Sequence, residues 1–199
     1  MDEQQILVKC RHKPFSVYLE WHRGDVGREV IFVDGSNNGK MIAHDGGWKS
    51  RLPAFFLEPD CSLATGDARY PITEAGLLGL LENMLAIHKE DLAKNTVATC
   101  THVTDGQFDG RPCYIFHTTH KSPAISPTYR KSITCIDKEW SIPCCSQHYE
   151  WARDNADTED EDETDKETLI ESYKFTEVRF EQSLSDNDFD TSNSEYHFH

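Results

Sequence analysis

Ten histidines, seven cysteines and 35 acids are enough to build a metal centre or a catalytic group many times over in 199 residues, so spacing has to decide. His117 and His120 stand three apart in a stretch that reads as a strand, where residues two apart share a face and residues three apart do not. His197 and His199 share a face but lie on a tail expected to fray. The cysteines are Cys10, Cys61, Cys100, Cys113, Cys135, Cys144 and Cys145, an odd number without a CxxC pair, which removes the usual zinc frames. Cross-strand disulfides, Cys100 with Cys113 or Cys135 with Cys144, stay open beside buried reduced thiols. No GxSxG frame surrounds a serine. GSNNGK, Gly35 to Lys40, lacks the GKS or GKT ending of a phosphate loop and joins two apolar runs, so it reads as a hairpin. No catalytic residue, metal or cofactor is assigned.

The elements that would carry a site are clearer than the site. Val17, Leu19 and Trp21 alternate with Ser16, Tyr18 and Glu20, the period of a half-buried strand. Val30 to Val33 is apolar on both faces, which predicts a central strand covered on both sides. After the Asp34 to Gly39 turn, Lys40 to His44 predicts the next strand. Residues 4 to 12 predict a strand ahead of Pro14, and Phe55 to Leu57 a short strand or packed turn. Thr73 is placed to cap a helix from Glu74 to about Asp91, whose leucines cover more than half its circumference. Beyond it come predicted hairpins at 97–119 and 130–151, a long last strand at 169–180, and SLSDNDFD closing the sheet. The sum is an α+β domain of about nine strands and one main helix.

GREVIFVDGSNNGKMIAH (Gly27 to His44), preceded by RHKPFSVYLEW (Arg11 to Trp21) and followed by RYPITEAG (Arg69 to Gly76), GRPC (Gly110 to Cys113) and DFD (Asp188 to Asp190), resembles an uncharacterised family found chiefly in planctomycete bacteria, the domain of unknown function 1571. That family is in turn similar to the lipoprotein carriers of the periplasm, the LolA-like fold. The resemblance implies a curved antiparallel sheet, a half-open β-barrel, with the apolar helix packed in its concave face. It also implies export to the periplasm or cell envelope. Arg28, Glu29, Asn37, Lys40, His44 and Arg69 match the family pattern, which gives them no role; turn formation and ion pairing at a strand end is the expectation.

Residues 1–199 are expected to form one domain, short of the helical segment that opens the family's domain. Residues 152–168 are expected to be an acidic flexible loop: 154 to 167 hold nine acids against one lysine, out of a net charge of −15. Residues 191–199 are expected to be a frayed tail. This charge, without a basic cluster, speaks against nucleic acid. No apolar run reaches the length of a membrane span, so an integral membrane protein is not expected. The start MDEQQILVKC has neither the basic leader nor the apolar core of a signal peptide. The resulting expectation is a non-enzymatic carrier of a lipid, an acyl chain or a lipidated protein, its hollow lined by Val17, Leu19, Trp21, Ile31, Val33, Leu77, Leu81, Met84 and Leu85. Its rivals are an interaction domain with a filled core and, behind it, a hydrolase.

Overall fold

Alternation over Phe15–Arg23 is the backbone of the first sheet. The computed structural model describes residues 3–65, 70–93, 100–152, 161–180 and 182–198. These fall into two compact units, one of residues 3–79 and 180–198 and the other of Leu80–Arg179. The strands of the first unit are β1 (Gln5–His12), β2 (Phe15–Arg23), β3 (Glu29–Val33), β4 (Met41–His44) and β5 (Phe55–Leu57). They pair antiparallel in chain order, and β1 and β5 are the two edges.

The β2–β3 register sets Val17 opposite Phe32 and Leu19 opposite Val30, while Tyr18 faces Ile31 and Ser16 faces Val33. Because side chains alternate, one face collects Val17, Val30, Phe32, Met41 and Ala43, and the other collects Tyr18 and Ile31. β3 is thus the central strand covered on both sides that its composition predicted, with Val30, Ile31 and Phe32 all buried. The turn into β4 places Gly35, Asn37, Asn38 and Gly39 at positive φ, as a tight connection between strands requires. Helix α1 (Ser62–Thr65) and a 3-10 turn at Ile72–Glu74 lie over the first face.

The second face is covered by the end of the chain. Residues 184–198 run over it as a strap, with a 3-10 turn at Asp186–Phe189 and with Phe189, Tyr196 and Phe198 buried against Tyr18 and Ile31. This corrects two expectations: SLSDNDFD does not close the sheet, and 191–198 are not frayed. The reason is aromatic burial. Tyr196 stacks on Tyr18 with ring centroids 4.0 Å apart, and Lys9 bonds both Tyr196 Oη (3.0 Å) and Asp188 (3.2 Å).

Helix α2 (Gly76–Ala93) carries the chain from the first unit into the second. Thr73 does not cap it. Ile72–Glu74 turns as 3-10 instead, and Gly76 at φ +89° starts the helix afresh.

In the second unit β6 (Cys100–Phe108), β7 (Arg111–Thr119), β8 (Lys131–Asp137), β9 (Pro143–Tyr149) and β10 (Leu169–Lys174) again pair antiparallel in chain order, with β6 and β10 as edges. β6 extends to Phe108 because Asp109 and Gly110, at φ 52° and 70°, make a two-residue hairpin turn. The last strand ends at Lys174 rather than near Phe180. Part of the acidic segment is helical, α3 (Glu161–Thr168), with Glu161, Asp162 and Glu163 in its first turn, where negative charge suits the helix dipole. Lys131 holds it from β8 through Asp165 (2.6 Å) and Glu161 (3.0 Å), and Arg130 binds the same Asp165. Residues 153–160 of that segment lie outside the described residues. The fold is α+β with open antiparallel sheets and one main helix.

Candidate functional site: an apolar face of the first sheet

All five strands of the first sheet send apolar side chains to one face. Cys10 comes from β1, Phe15, Val17, Leu19 and Trp21 from β2, Val30 and Phe32 from β3, Met41 and Ala43 from β4, and Phe55 and Leu57 from β5. Among the described residues of this unit, the apolar side chains that pack on them from outside the sheet are Ala64 of α1, Ile72 of the 3-10 turn and Ala75, all small but Ile72. Gly76 leaves room for the Cys10 thiol at 3.4 Å from the position of a Cβ, and burial pushes that thiol's pKa up.

Of the lining residues expected from sequence, Val17, Leu19 and Trp21 lie together on this face. Ile31 and Val33 do not: they belong to the opposite face, under the strap. β3 is apolar at every position from Val30 to Val33, so composition carries no parity; the register to β2 decides, and it selects Val30 and Phe32. Leu77, Leu81 and Met84 are half-buried on α2 and Leu85 is 47% exposed. Phe15, Val30, Phe32, Met41, Ala43, Phe55, Leu57 and Ile72 were missed. The alternating pattern of β2 pointed to this face, but their membership needed cross-strand pairing.

The opposite face holds a polar knot. Glu29 is 0% exposed; its carboxylate accepts from Tyr18 Oη–H at 2.8 Å and from the His197 backbone N–H at 2.7 Å. Burial, with Glu29 as neighbour, holds the Tyr18 phenol far above its ordinary pKa. His44, the register partner of Glu29, is buried beside the Phe198 ring; its Nε2 meets the Ser50 carbonyl at 3.2 Å, and its Nδ1 has no hydrogen-bond partner among the described residues. No serine or cysteine hydroxyl or thiol completes an acid–histidine–nucleophile chain in these bonds. The knot fastens the strap to β2, β3 and β4. The other motif residues serve turns and ion pairs: Arg28 binds Asp25 and Asp45, Lys40 binds Glu58, and Asn37 takes a positive φ. Arg69 lies outside the described residues.

Neither disulfide pairing suggested by the sequence has its register. Cys113 faces Gly106 and Asp137, Cys100 faces Thr119, and Cys135 faces Cys145. An irregularity at Cys135/Ile136 turns Cys144 towards Cys113, with Sγ atoms 3.7 Å apart across the intervening β8. Two inter-strand spacings are about 9.6 Å, beyond the Cα separation a disulfide spans. The four thiols form a small apolar core, and burial pushes those of Cys135 and Cys144 up to about 12. Among the described residues no group of three or more His, Cys, Asp or Glu could hold a metal ion, and no helix is long and apolar enough to cross a membrane.

An α+β fold with two open antiparallel sheets, one of them with an apolar face, defines the class. The chain belongs to the family described as "Protein of unknown function (DUF1571)", whose model matches residues 1–198. A search of curated proteins found no match. Among solved structures, the chain is similar to a DUF1329 family protein from Desulfovibrio piger, at 11% identity and TM-score 0.28 over 74% of this chain and 57% of that one. It is also similar to a putative outer membrane lipoprotein-sorting protein domain from Vibrio parahaemolyticus, at 9% identity and TM-score 0.27 over 74% and 63%. A LolA superfamily protein from Nitrosomonas europaea matches at 12% identity and TM-score 0.21 over 75% and 64%. The chain therefore spans less than two thirds of each of these proteins.

Proposed function

We propose that this chain is a non-enzymatic binding or carrier protein for a hydrophobic ligand, a lipid or the acyl chain of a lipidated protein, held on the first-sheet face around Val17, Leu19, Val30 and Phe32, and that it works in the cell envelope. The observation that carries the proposal is an apolar face fed by all five strands under a cover that, among the described residues of this unit, brings only Ala64, Ile72 and Ala75 as apolar side chains. A ligand chain entering under that cover gains about 25 cal/mol for each Å² of apolar surface removed from water, without covalent chemistry. Among the described residues the cover consists of the helical residues Ser62–Thr65 and a 3-10 turn at Ile72–Glu74, local elements that can open without the sheet beneath them. Its lifting is the step that admits the ligand.

Native mass spectrometry of the freshly purified chain tests this. A lipid or acyl peptide near one per chain, absent in a folded Leu19→Asp variant, supports the carrier. A mass that stays that of the bare chain after incubation with palmitate and a diacylated peptide selects a second reading, an interaction domain with a filled core. That reading draws on the burial of Val17, Val30 and Phe32. Cell fractionation tests the compartment separately: recovery from the cytosol removes the envelope assignment.

A further inference from the structure

We propose that the cleft beside the β2–β3 turn is a carbohydrate site that takes a neutral pyranose ring, independent of the apolar face. The cleft has a volume of about 400 Å³ and opens between Gly24–Arg28 and Asp45–Lys49. That is within the range of roughly 300–1,000 Å³ typical of small-molecule sites.

Its walls are of three kinds. The first is an aromatic platform. Trp48 is 81% exposed on the 3-10 turn Gly47–Arg51, and Val26, 59% exposed, also lines the cleft. An indole left in water at the mouth of a cleft is a surface without a partner, and its electron-rich face suits the C–H face of a sugar. The second wall is a set of oriented polar groups. Arg28 binds Asp25 at 2.7 Å through one terminal nitrogen and Asp45 at 3.3 Å through Nε, and its guanidinium lies 5.8 Å from the Trp21 ring centroid. These bonds fix the carboxylates without exhausting them, since each carboxylate offers about four acceptor positions. The third wall is bare backbone. A Cβ on Gly46 would sit 2.1 Å from the Val26 carbonyl oxygen, so the two loops approach as closely as main chains allow.

Charge chooses the ligand. Asp25 and Asp45 are balanced by Arg28 and Lys49, which favours neither an anion nor a quaternary ammonium. An acyl chain would leave the polar wall unsatisfied. A neutral polyol ring satisfies the polar and the aromatic wall together: its hydroxyls bond Asp25 and Asp45 while its apolar face lies on Trp48.

The test is a titration of the ¹⁵N-labelled full chain with cellotriose, chitotriose and maltotriose, with tetramethylammonium as a cation control. One trisaccharide should shift the Trp48 indole N–H and the Gly46 and Gly47 amides saturably. Trp48→Ala, which keeps the parent melting temperature because the side chain is exposed, should weaken binding at least about tenfold, and Trp48→Phe should restore part of it. Three silent trisaccharides, a response to tetramethylammonium in their place, or binding that survives Trp48→Ala each overturn the proposal.

Discussion

The sheet β1–β5 and the sheet β6–β10 are both five-stranded antiparallel meanders in chain order, yet their interiors share almost nothing. The first is filled on both faces by aliphatic and aromatic side chains. The second buries four cysteines with Phe108 and Ile115 beside them, and braces its strand ends with charge: Arg111 on Asp137 at β7–β8, and Arg130 and Lys131 on Asp165 of α3. Both units carry ion pairs, Lys9 with Asp188 and Arg28 with Asp25 and Asp45 in the first; what differs is the buried interior, aliphatic and aromatic in the first and rich in thiols in the second. Among the described residues, the first sheet has an apolar face that runs without a break across all five strands.

The sharpest way to break this contrast is Phe32→Ala. Truncating a buried phenylalanine costs about 3–5 kcal/mol, and chemical denaturation with hydrogen exchange should locate the loss in β1–β5. A smaller effect is expected from Asp137→Asn, which keeps an acceptor for the Glu139 and Trp140 amides but loses the charge that Arg111 pairs: about 1–3 kcal/mol at neutral pH. The Arg111 hydrogen bond holds the Asp137 carboxyl down to about 2. Its stabilising contribution is therefore complete above the ordinary carboxylate pKa of about 4 and disappears as pH falls towards 2. Unfolding free energies measured from pH 7 to pH 2 should show this acid loss in the parent and less of it in Asp137→Asn; identical slopes would show that the pair is silent.

On the apolar side, Tyr196→Phe keeps the ring on Tyr18 but removes the hydroxyl that bonds Lys9 and the Asp188 carbonyl, so it should cost only about 1 kcal/mol in a melt. The least disturbing probe is thiol labelling. Iodoacetamide at pH 8 should leave Cys135 and Cys144 unmodified in the native chain and label both after denaturation, because burial keeps them protonated to about 12.

What was legible in the sequence followed from local rules. Alternation in β2, the glycine-rich turn after Asp34 and the apolar run of β3 all predict elements that are present, because period and turn chemistry act within a few residues. What could not be read depends on partners far along the chain. Ile31 and Val33 are indistinguishable from Val30 and Phe32 until β2 is laid beside them. The two-residue Asp109–Gly110 turn sets every cross-strand pairing of β6, the cysteines included, and a hairpin expected over 97–119 does not by itself fix which two residues turn. The tail SNSEYHF looked polar enough to fray, but Tyr196 finds a stack on Tyr18 and the His197 amide a buried carboxylate 168 positions upstream, a separation no window on the sequence spans.

That separation has a consequence for the order in which the molecule comes into being. A ribosome delivers β1 to β5 first, then all of residues 80–179, and only afterwards the strap that covers Tyr18 and Ile31. Throughout that interval the nascent first sheet has its second face uncovered and the Glu29 carboxylate without its His197 amide. Newly made chains are therefore exposed to sticking or to capture by chaperones until synthesis reaches the strap, and a truncation before Phe189 would hold them in that state.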